Sequence, residues 1–434
     1  MSENVKNNGN EEVKENTAEA TEESKELKEK RKIKTVSMMK EIMTEYYIGA
    51  KNADVNEKKV AWITSGGPVE PLIAMDVIPV YPENHGAMIG ATKMGVDLCS
   101  KAEDMGYSRD LCSYARADIA AATVNGGPIG GLPKPDFLVC CNNICGTVLK
   151  WYEVQARYYD VPLFILDTPF IHGAITEEAR QYVINQMLEY IVFLEEVCGK
   201  KMDGEKMLEV GRLSLEAQRL WQGVLDTAAA VPAPMTAFDA FFHLALIVTL
   251  RGTQKAVDYY KTLLAEMEQR VQDGVAMVPD EKYRLIWDNL PVWYRTKWLS
   301  DKFASHGASL VADTYTAAWS GVTHLIDEDN FLESAALAYS SIHINISIDM
   351  MVNKFKEMVQ KYKADGIVMH SNRSCKPYSL GQYDLRKMIT EELGIPVLIF
   401  EADMVDERSF GEAQVDTRIE AFMEILKKSK GENI

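Results

Sequence analysis

No stretch of eighteen consecutive apolar residues occurs in this 434-residue chain, so no segment reads as a membrane-spanning helix. Positive charge is in deficit: 47 Lys and Arg stand against 64 Asp and Glu, a net charge of −17 at pH 7. That balance argues against sequence-independent nucleic-acid binding, which needs an excess of cations facing phosphates. A small molecule or a protein is the expected partner. The GxxxxGK(S/T) run is missing, and with it the backbone cradle and lysine of a P-loop nucleotide site. GGPIGG (126–131) lacks the GxGxxG spacing, and Leu132-Pro133-Lys134-Pro135 follows where a helix would have to begin, so no dinucleotide site is expected there. CxxC is absent too, which removes the thioredoxin-type pair and the usual zinc-ribbon spacing. The first 30 residues hold nine Glu against five Lys, with no aromatic residue and no apolar stretch of a signal peptide. They read as a disordered acidic tail. An odd number of cysteines, seven, without a secretory signal points to a reducing cytoplasm in which thiols stay free or bind metal.

The length predicts more than one core. After the tail (1–30), Met38, Met39, Ile42, Met43, Tyr46 and Tyr47 recur at helical spacing, giving an N-terminal helix within 31–58. Short apolar runs then alternate with helical stretches: VAWIT (60–64), VIPVYP (77–82), DFLVCC (136–141) and PLFILD (162–167). This is the rhythm of a parallel sheet buried on both faces. The period turns helical over 176–305, and the α/β rhythm returns with ASLVADTY (308–315), DGIVMH (365–370) and PVLIFEAD (396–403). The expected fold class is therefore α/β: two Rossmann- or flavodoxin-like parallel-sheet lobes, 59–175 and 306–434, with a helical segment between them.

Ligands of such sheets gather at the carboxyl ends of the strands, which directs attention to TSGGP (64–68), YPENH (81–85), CCNNIC (140–145) and HSNRSC (370–375). Cys112, Cys145 and Cys375 each stand at or near a strand exit or helix entry, and three thiolates brought to one crevice could hold an iron–sulfur cluster with one iron left open. Cysteine is also among the most buried residue types, so a strand ending LVCC reads from the residues alone more readily as plain core. Cys140 continues the apolar run, and Cys99 and Cys198 lie on helical stretches without polar company; all three are expected in the core. Ser65, followed by two glycines, could approach a ligand closely, or simply form a Gly-Gly-Pro turn. Glu83 follows a buried run, where desolvation would raise its pKa toward that of a general base, unless it sits in an exposed capping loop.

Five stretches in this order, LCSYAR (111–116), PDFLVCCNNIC with KWYE (135–153), DTPF (167–170), NRSCKPYS (372–379) and EADMVDERSFGEAQVDTRIEAFMEIL (401–426), resemble the benzoyl-CoA reductase/2-hydroxyacyl-CoA dehydratase family, nearest its larger, alpha-type subunits. The resemblance implies a heterodimeric, oxygen-sensitive enzyme in which each subunit holds a 4Fe–4S cluster through three cysteines, matching Cys112, Cys145 and Cys375 here. Cys145 is matched because the family's ligand lies eight residues before the Glu of the Lys-aromatic-Tyr-Glu motif, here Glu153, and Cys141 falls four residues too early. Ser65 matches a serine beside the open iron and Glu83 a glutamate of the substrate pocket. The implied reaction removes water from a 2-hydroxyacyl-CoA through a ketyl radical. A homologous beta-type subunit and a separate ATP-hydrolysing iron–sulfur activator protein are the implied partners, the latter because this chain has no nucleotide motif. EADMVDER and PYSLGQYD (377–384) lean toward the reductase branch, whose reaction delivers electrons to the ring of an aromatic acyl-CoA. A non-catalytic iron–sulfur electron carrier is the third reading.

Overall fold

In a computed structural model of the chain, residues 29–432 are described; the expected acidic tail lies almost wholly outside them. Helix α1 (Val36–Lys51) leads into the first lobe. Its strands β1 (Val60–Ile63), β2 (Ile78–Val80), β3 (Phe137–Cys141) and β4 (Leu163–Leu166) form one parallel sheet in the order β2-β1-β3-β4. They alternate with α2 (Glu70–Ala74), α3 (Pro82–Ala91), α4 (Gly95–Asp104), α5 (Ser113–Val124) and α6 (Thr147–Tyr159). Every residue of β1 and β3 is buried, as apolar runs covered by helices on both faces require. The alternation of the pleat sends Trp62, Leu138 and Cys140 into one core and Ile63, Val139 and Cys141 into another.

The second lobe repeats this topology. Strands β5 (Tyr283–Asp288), β6 (Ala308–Asp313), β7 (Gly366–Asn372) and β8 (Val397–Ala402) are parallel in the order β6-β5-β7-β8. In both sheets the chain steps outward from its first strand and then returns to that strand's other side, so each has a switch point, at β1/β3 and at β5/β7. The helices between the sheets are α7 (Glu177–Cys198), α8 (Gly204–Asp226), α9 (Ala237–His243), α10 (Ala245–Thr249) and α11 (Gln254–Gln272). Around the second sheet run α12 (Thr296–Ser305), α14 (Ile348–Tyr362), α15 (Lys376–Ser379), α16 (Gln382–Leu393) and α17 (Glu412–Ser429), whereas α13 (Phe331–Ser340) packs back on α7 and α8.

The expectation of a helical segment over 176–305 needs one correction. YRLIWD is β5, a central strand of the second sheet. Its polar residues hide the apolar run, and the structure shows how they are buried. The Arg284 guanidinium donates to the carbonyls of Tyr362 (2.8 Å), Ala230 (3.0 Å) and Ala228 (2.6 Å). Asp288 accepts from Thr314 and Gln382. A strand with its charges internally satisfied need not look apolar in sequence.

The lobes meet where the loop after β8 lies against α4 and α5. Arg116, 2% exposed, donates to Glu103 (2.6 Å) and to Asp406 (3.2 Å). A Cβ added at Gly95 would stand 2.2 Å from the Val405 carbonyl oxygen, so only glycine lets α4 approach this loop. Gly95→Ala is expected to cost about 1–3 kcal/mol by forcing the two apart. Gly49→Ala, a helical position with nothing within 4 Å of the added carbon, should gain up to about 1 kcal/mol from helix propensity. Denaturant midpoints of the two variants check the contrast; an unchanged midpoint for Gly95→Ala would mean that this contact gives easily.

Candidate functional site

One cavity of about 140 Å³ lies between the lobes, and Ser65, Glu83, Cys112, Cys145 and Cys375 all line it. The two switch points supply the residues: Ser65 follows β1, Cys145 follows β3 and Cys375 follows β7. Cys112 precedes α5 and Cys375 precedes α15 as their capping residues, and Cys145 lies just before Gly146, which caps α6. Helix-entry N–H groups therefore face the sulfurs, from Tyr114 and Ala115 to Cys112, from Thr147 and Val148 to Cys145, and from Tyr378 to Cys375. Such donors stabilise thiolates. Burial works the other way and is the larger influence: it pushes Cys112 up to about 12 and raises Cys145 and Cys375, with the neighbouring sulfurs adding to the rise for Cys112 and Cys375. Three thiols so placed stay protonated on their own and lose their protons to a cation that binds them together. Among the described residues no three His, Cys, Asp or Glu side chains are arranged to hold a metal ion; the three sulfurs border a shared space.

Cys141 is not among the residues lining this cavity. The pleat turns it to the opposite face of the sheet, where burial pushes it up to about 12 and its backbone N–H donates to Thr64 Oγ1 at 3.0 Å. Cys140 and Cys99 are fully buried in the core, as expected, and Cys198 is half-buried against it. The asparagines of CCNNIC build the loop. Asn143 Nδ2 donates to the carbonyls of Gly66 and Tyr339, both at 2.8 Å, and Asn142 Oδ1 accepts from Thr168.

Glu83, in the first turn of α3, is 7% exposed, not a residue of an exposed loop. Its carboxylate accepts the Ser65 backbone N–H at 3.1 Å and the Tyr152 hydroxyl at 3.0 Å. Ser65 is held from its other side as well, since Trp319 Nε1 donates to its carbonyl at 3.0 Å. Burial pushes the Glu83 carboxyl up to about 7; its own backbone N–H, Ser65 and Tyr152 pull it down without reversing the shift, and the Asp118 charge adds to it. A carboxyl titrating near neutrality beside a cavity can both take up and release a proton. Tyr152 was not singled out from the sequence, although it lies in the KWYE stretch. EADMVDER supplies Asp403, whose Oδ2 accepts from Ser374 Oγ at 2.5 Å and whose Oδ1 accepts from the N–H groups of Val405 and Asp406.

Fold and cavity together define a two-lobed α/β chain with a cavity bordered by residues from both switch points. Comparison with known proteins gives the family. The family model described as "2-hydroxyglutaryl-CoA dehydratase, D-component" matches residues 64–426. The chain is 36% identical over 407 residues to the (R)-2-hydroxyisocaproyl-CoA dehydratase alpha subunit of Clostridioides difficile, covering 93% of this chain and 98% of that one. It is 34% identical to the (R)-phenyllactyl-CoA dehydratase alpha subunit of Clostridium sporogenes, covering 94% and 98%. A benzoyl-CoA reductase subunit of Thauera aromatica is 30% identical, covering 86% and 90%. The chain belongs to the benzoyl-CoA reductase/2-hydroxyacyl-CoA dehydratase family and is an enzyme subunit of it. Among the described residues no helix is long and apolar enough to cross a membrane.

The shifted carboxyl is testable without substrate. Its folded pKa of about 7 lies above the unfolded 4.5, so the protonated acid stabilises the fold below about pH 4.5 and that contribution is lost as pH rises through about 7. Relative to Glu83→Gln, which cannot titrate, the wild-type chain should lose up to about 3 kcal/mol between pH 5 and 8 and change little above that. Denaturant unfolding of both chains at several pH values measures the difference; a constant difference across this range would contradict the placement of Glu83.

Proposed function

We propose that the chain is the cluster-bearing, alpha-type subunit of a cytoplasmic 2-hydroxyacyl-CoA dehydratase, converting a 2-hydroxyacyl-CoA to the enoyl-CoA through a ketyl radical of the thioester. The observation that carries this reading is that three cysteines from two lobes border the same cavity as Ser65 and Glu83. Cys112, Cys145 and Cys375 would hold a 4Fe–4S cluster. The donor set suits it: three sulfurs with helix-entry N–H groups facing them, closing a space walled mainly by apolar and aromatic side chains. When bound, the cluster would lend a low-potential electron to the thioester carbonyl, take it back as the enoyl-CoA forms, and offer an open iron as Lewis acid.

The chain's own residues do the rest. A 2-hydroxyacyl thioester has an unacidic β-hydrogen, so a base alone cannot expel its α-hydroxyl; after one-electron reduction the hydroxyl can leave and the β-proton becomes acidic. Ser65 would position the oxygen at the reacting end by a hydrogen bond. Glu83, poised near neutrality and steadied by Tyr152 and the Ser65 N–H, would accept the β-proton and deliver one to the departing hydroxyl. The surrounding Tyr114, Trp151, Tyr315 and Tyr378 would keep bulk water from the radical. A beta-type subunit and an ATP-hydrolysing iron–sulfur activator complete this reading, in keeping with the "alpha subunit" names of the relatives.

The benzoyl-CoA reductase relative favours a second reading, reduction of an aromatic acyl-CoA. Anaerobic turnover with the beta-type subunit, activator, ATP and reductant separates the two. Dehydration predicts enoyl-CoA formation with far less than one ATP per turnover, whereas ring reduction consumes ATP in proportion to product. Ser65→Ala and Glu83→Gln should each lower kcat by about 100-fold or more while leaving iron content unchanged. No dehydration across aliphatic and aromatic 2-hydroxyacyl-CoAs would sink the first reading.

A further inference from the structure

The cavity has a second polar feature that none of these steps uses. Glu70, fully buried at the start of α2, and Arg251, 1% exposed just after α10, both border it. Their charges oppose one another, with Arg251 Nε 3.6 Å from Glu70 Oε1. The remaining donors of the guanidinium are engaged by the protein. Nη1 donates to the carbonyls of Ile247 (3.4 Å) and Val248 (3.2 Å), and Nη2 to the Gly67 carbonyl and to the Tyr339 hydroxyl (3.4 Å). The carboxylate is engaged as well, accepting from Ser214 Oγ at 2.5 Å and from the Tyr339 hydroxyl, which lies 2.7 and 2.9 Å from its two oxygens. The same cavity is lined by the apolar Val322, Ile326, Phe331 and Ala338, and the Gln218 amide that also lines it is committed to Ser214 Oγ at 3.0 Å.

We infer that this internally neutralised pair sets the acyl specificity, restricting the enzyme to 2-hydroxyacyl groups without a terminal charge. A terminal carboxylate would leave water for an enclosed wall in which Arg251, the one Lys or Arg among the described lining residues, has neither a free donor nor an uncompensated charge. Transfer of an ion into such a place is costly unless a counter-charge is supplied. A branched aliphatic or aromatic chain meets no such cost and buries its surface against Phe331 and its neighbours. Removing the carboxylate alone should reverse the preference: with Gln at position 70, Arg251 keeps its carbonyl partners but loses its counter-ion, and a substrate carboxylate can take that place. This inference rests on the reading of the cavity as an acyl-CoA site.

The test uses the assembled enzyme with a branched aliphatic 2-hydroxyacyl-CoA and 2-hydroxyglutaryl-CoA, read as kcat/KM and, separately, as equilibrium binding without activator. The wild type should favour the neutral substrate by at least about 100-fold in kcat/KM, the scale at which a pocket with unmatched polar demands rejects a ligand, and should bind it more tightly. Glu70→Gln should move the ratio at least about tenfold toward the dicarboxylic substrate. The double variant Glu70→Gln/Arg251→Met, with no buried charge to satisfy, should return it toward the neutral one. Wild-type enzyme that binds both ligands equally overturns the inference even if the variants misfold, and so does a Glu70→Gln ratio equal to that of the double variant. Absence of turnover with every 2-hydroxyacyl-CoA would instead strike the dehydratase reading, and the binding preference would still decide the role of the pair.

Discussion

The hydrogen bond from the Ser113 backbone N–H to the Ser374 hydroxyl, 3.1 Å long and buried, couples the two lobes at the point where their cysteines approach. Ser113 directly follows Cys112 and Ser374 directly precedes Cys375, so the bond fixes the backbone of one thiol against that of the other. Asp403 anchors it by accepting a hydrogen bond from the Ser374 hydroxyl, and its own orientation is set by two N–H groups of the loop after β8. Arg116, in the same helix as Ser113, reaches Asp406 in that loop. In a low-dielectric interface, a network whose members are all satisfied is stiff. A site divided between two lobes needs that stiffness, because a small rotation at the interface would part the sulfurs.

The repeated sheet topology explains why a cavity arises there. Each lobe opens a crevice at its switch point, and facing the two crevices encloses one cavity. Burial in this enclosed space is what pushes the Glu83 carboxyl up to about 7 and raises the thiols. The same enclosure makes the Glu70–Arg251 pair consequential, since a charge in open water would discriminate little between acyl groups.

Seven of the eight strands were legible as short apolar runs, because buried parallel strands must be nearly all apolar. β5 was not, since Tyr283, Arg284 and Asp288 break its run and only the fold shows the partners that make their burial tolerable. The thiols were legible as positions at strand exits and through motif likeness. That they border one cavity followed from the resemblance alone, since Cys112 and Cys375 meet only through contacts between lobes far apart in sequence. Period-two alternation sends Cys141 to the far face, a consequence visible only once β3 is placed in its sheet. Tyr152 lay inside a recognised stretch, but its bond to Glu83 depends on the packing of α6 against α3. Nothing in one sequence marks Arg251, which follows a short helix and is defined by its partners alone.

The central claim is that Cys112, Cys145 and Cys375 hold one iron–sulfur cluster between the lobes. Iron and acid-labile sulfide, measured on anaerobically purified alanine variants, test it most directly. The account predicts that each of these three substitutions removes one cluster's iron and sulfide, while Cys141→Ala, on the other face of the sheet, leaves both unchanged. Full iron in Cys145→Ala together with loss in Cys141→Ala would contradict it.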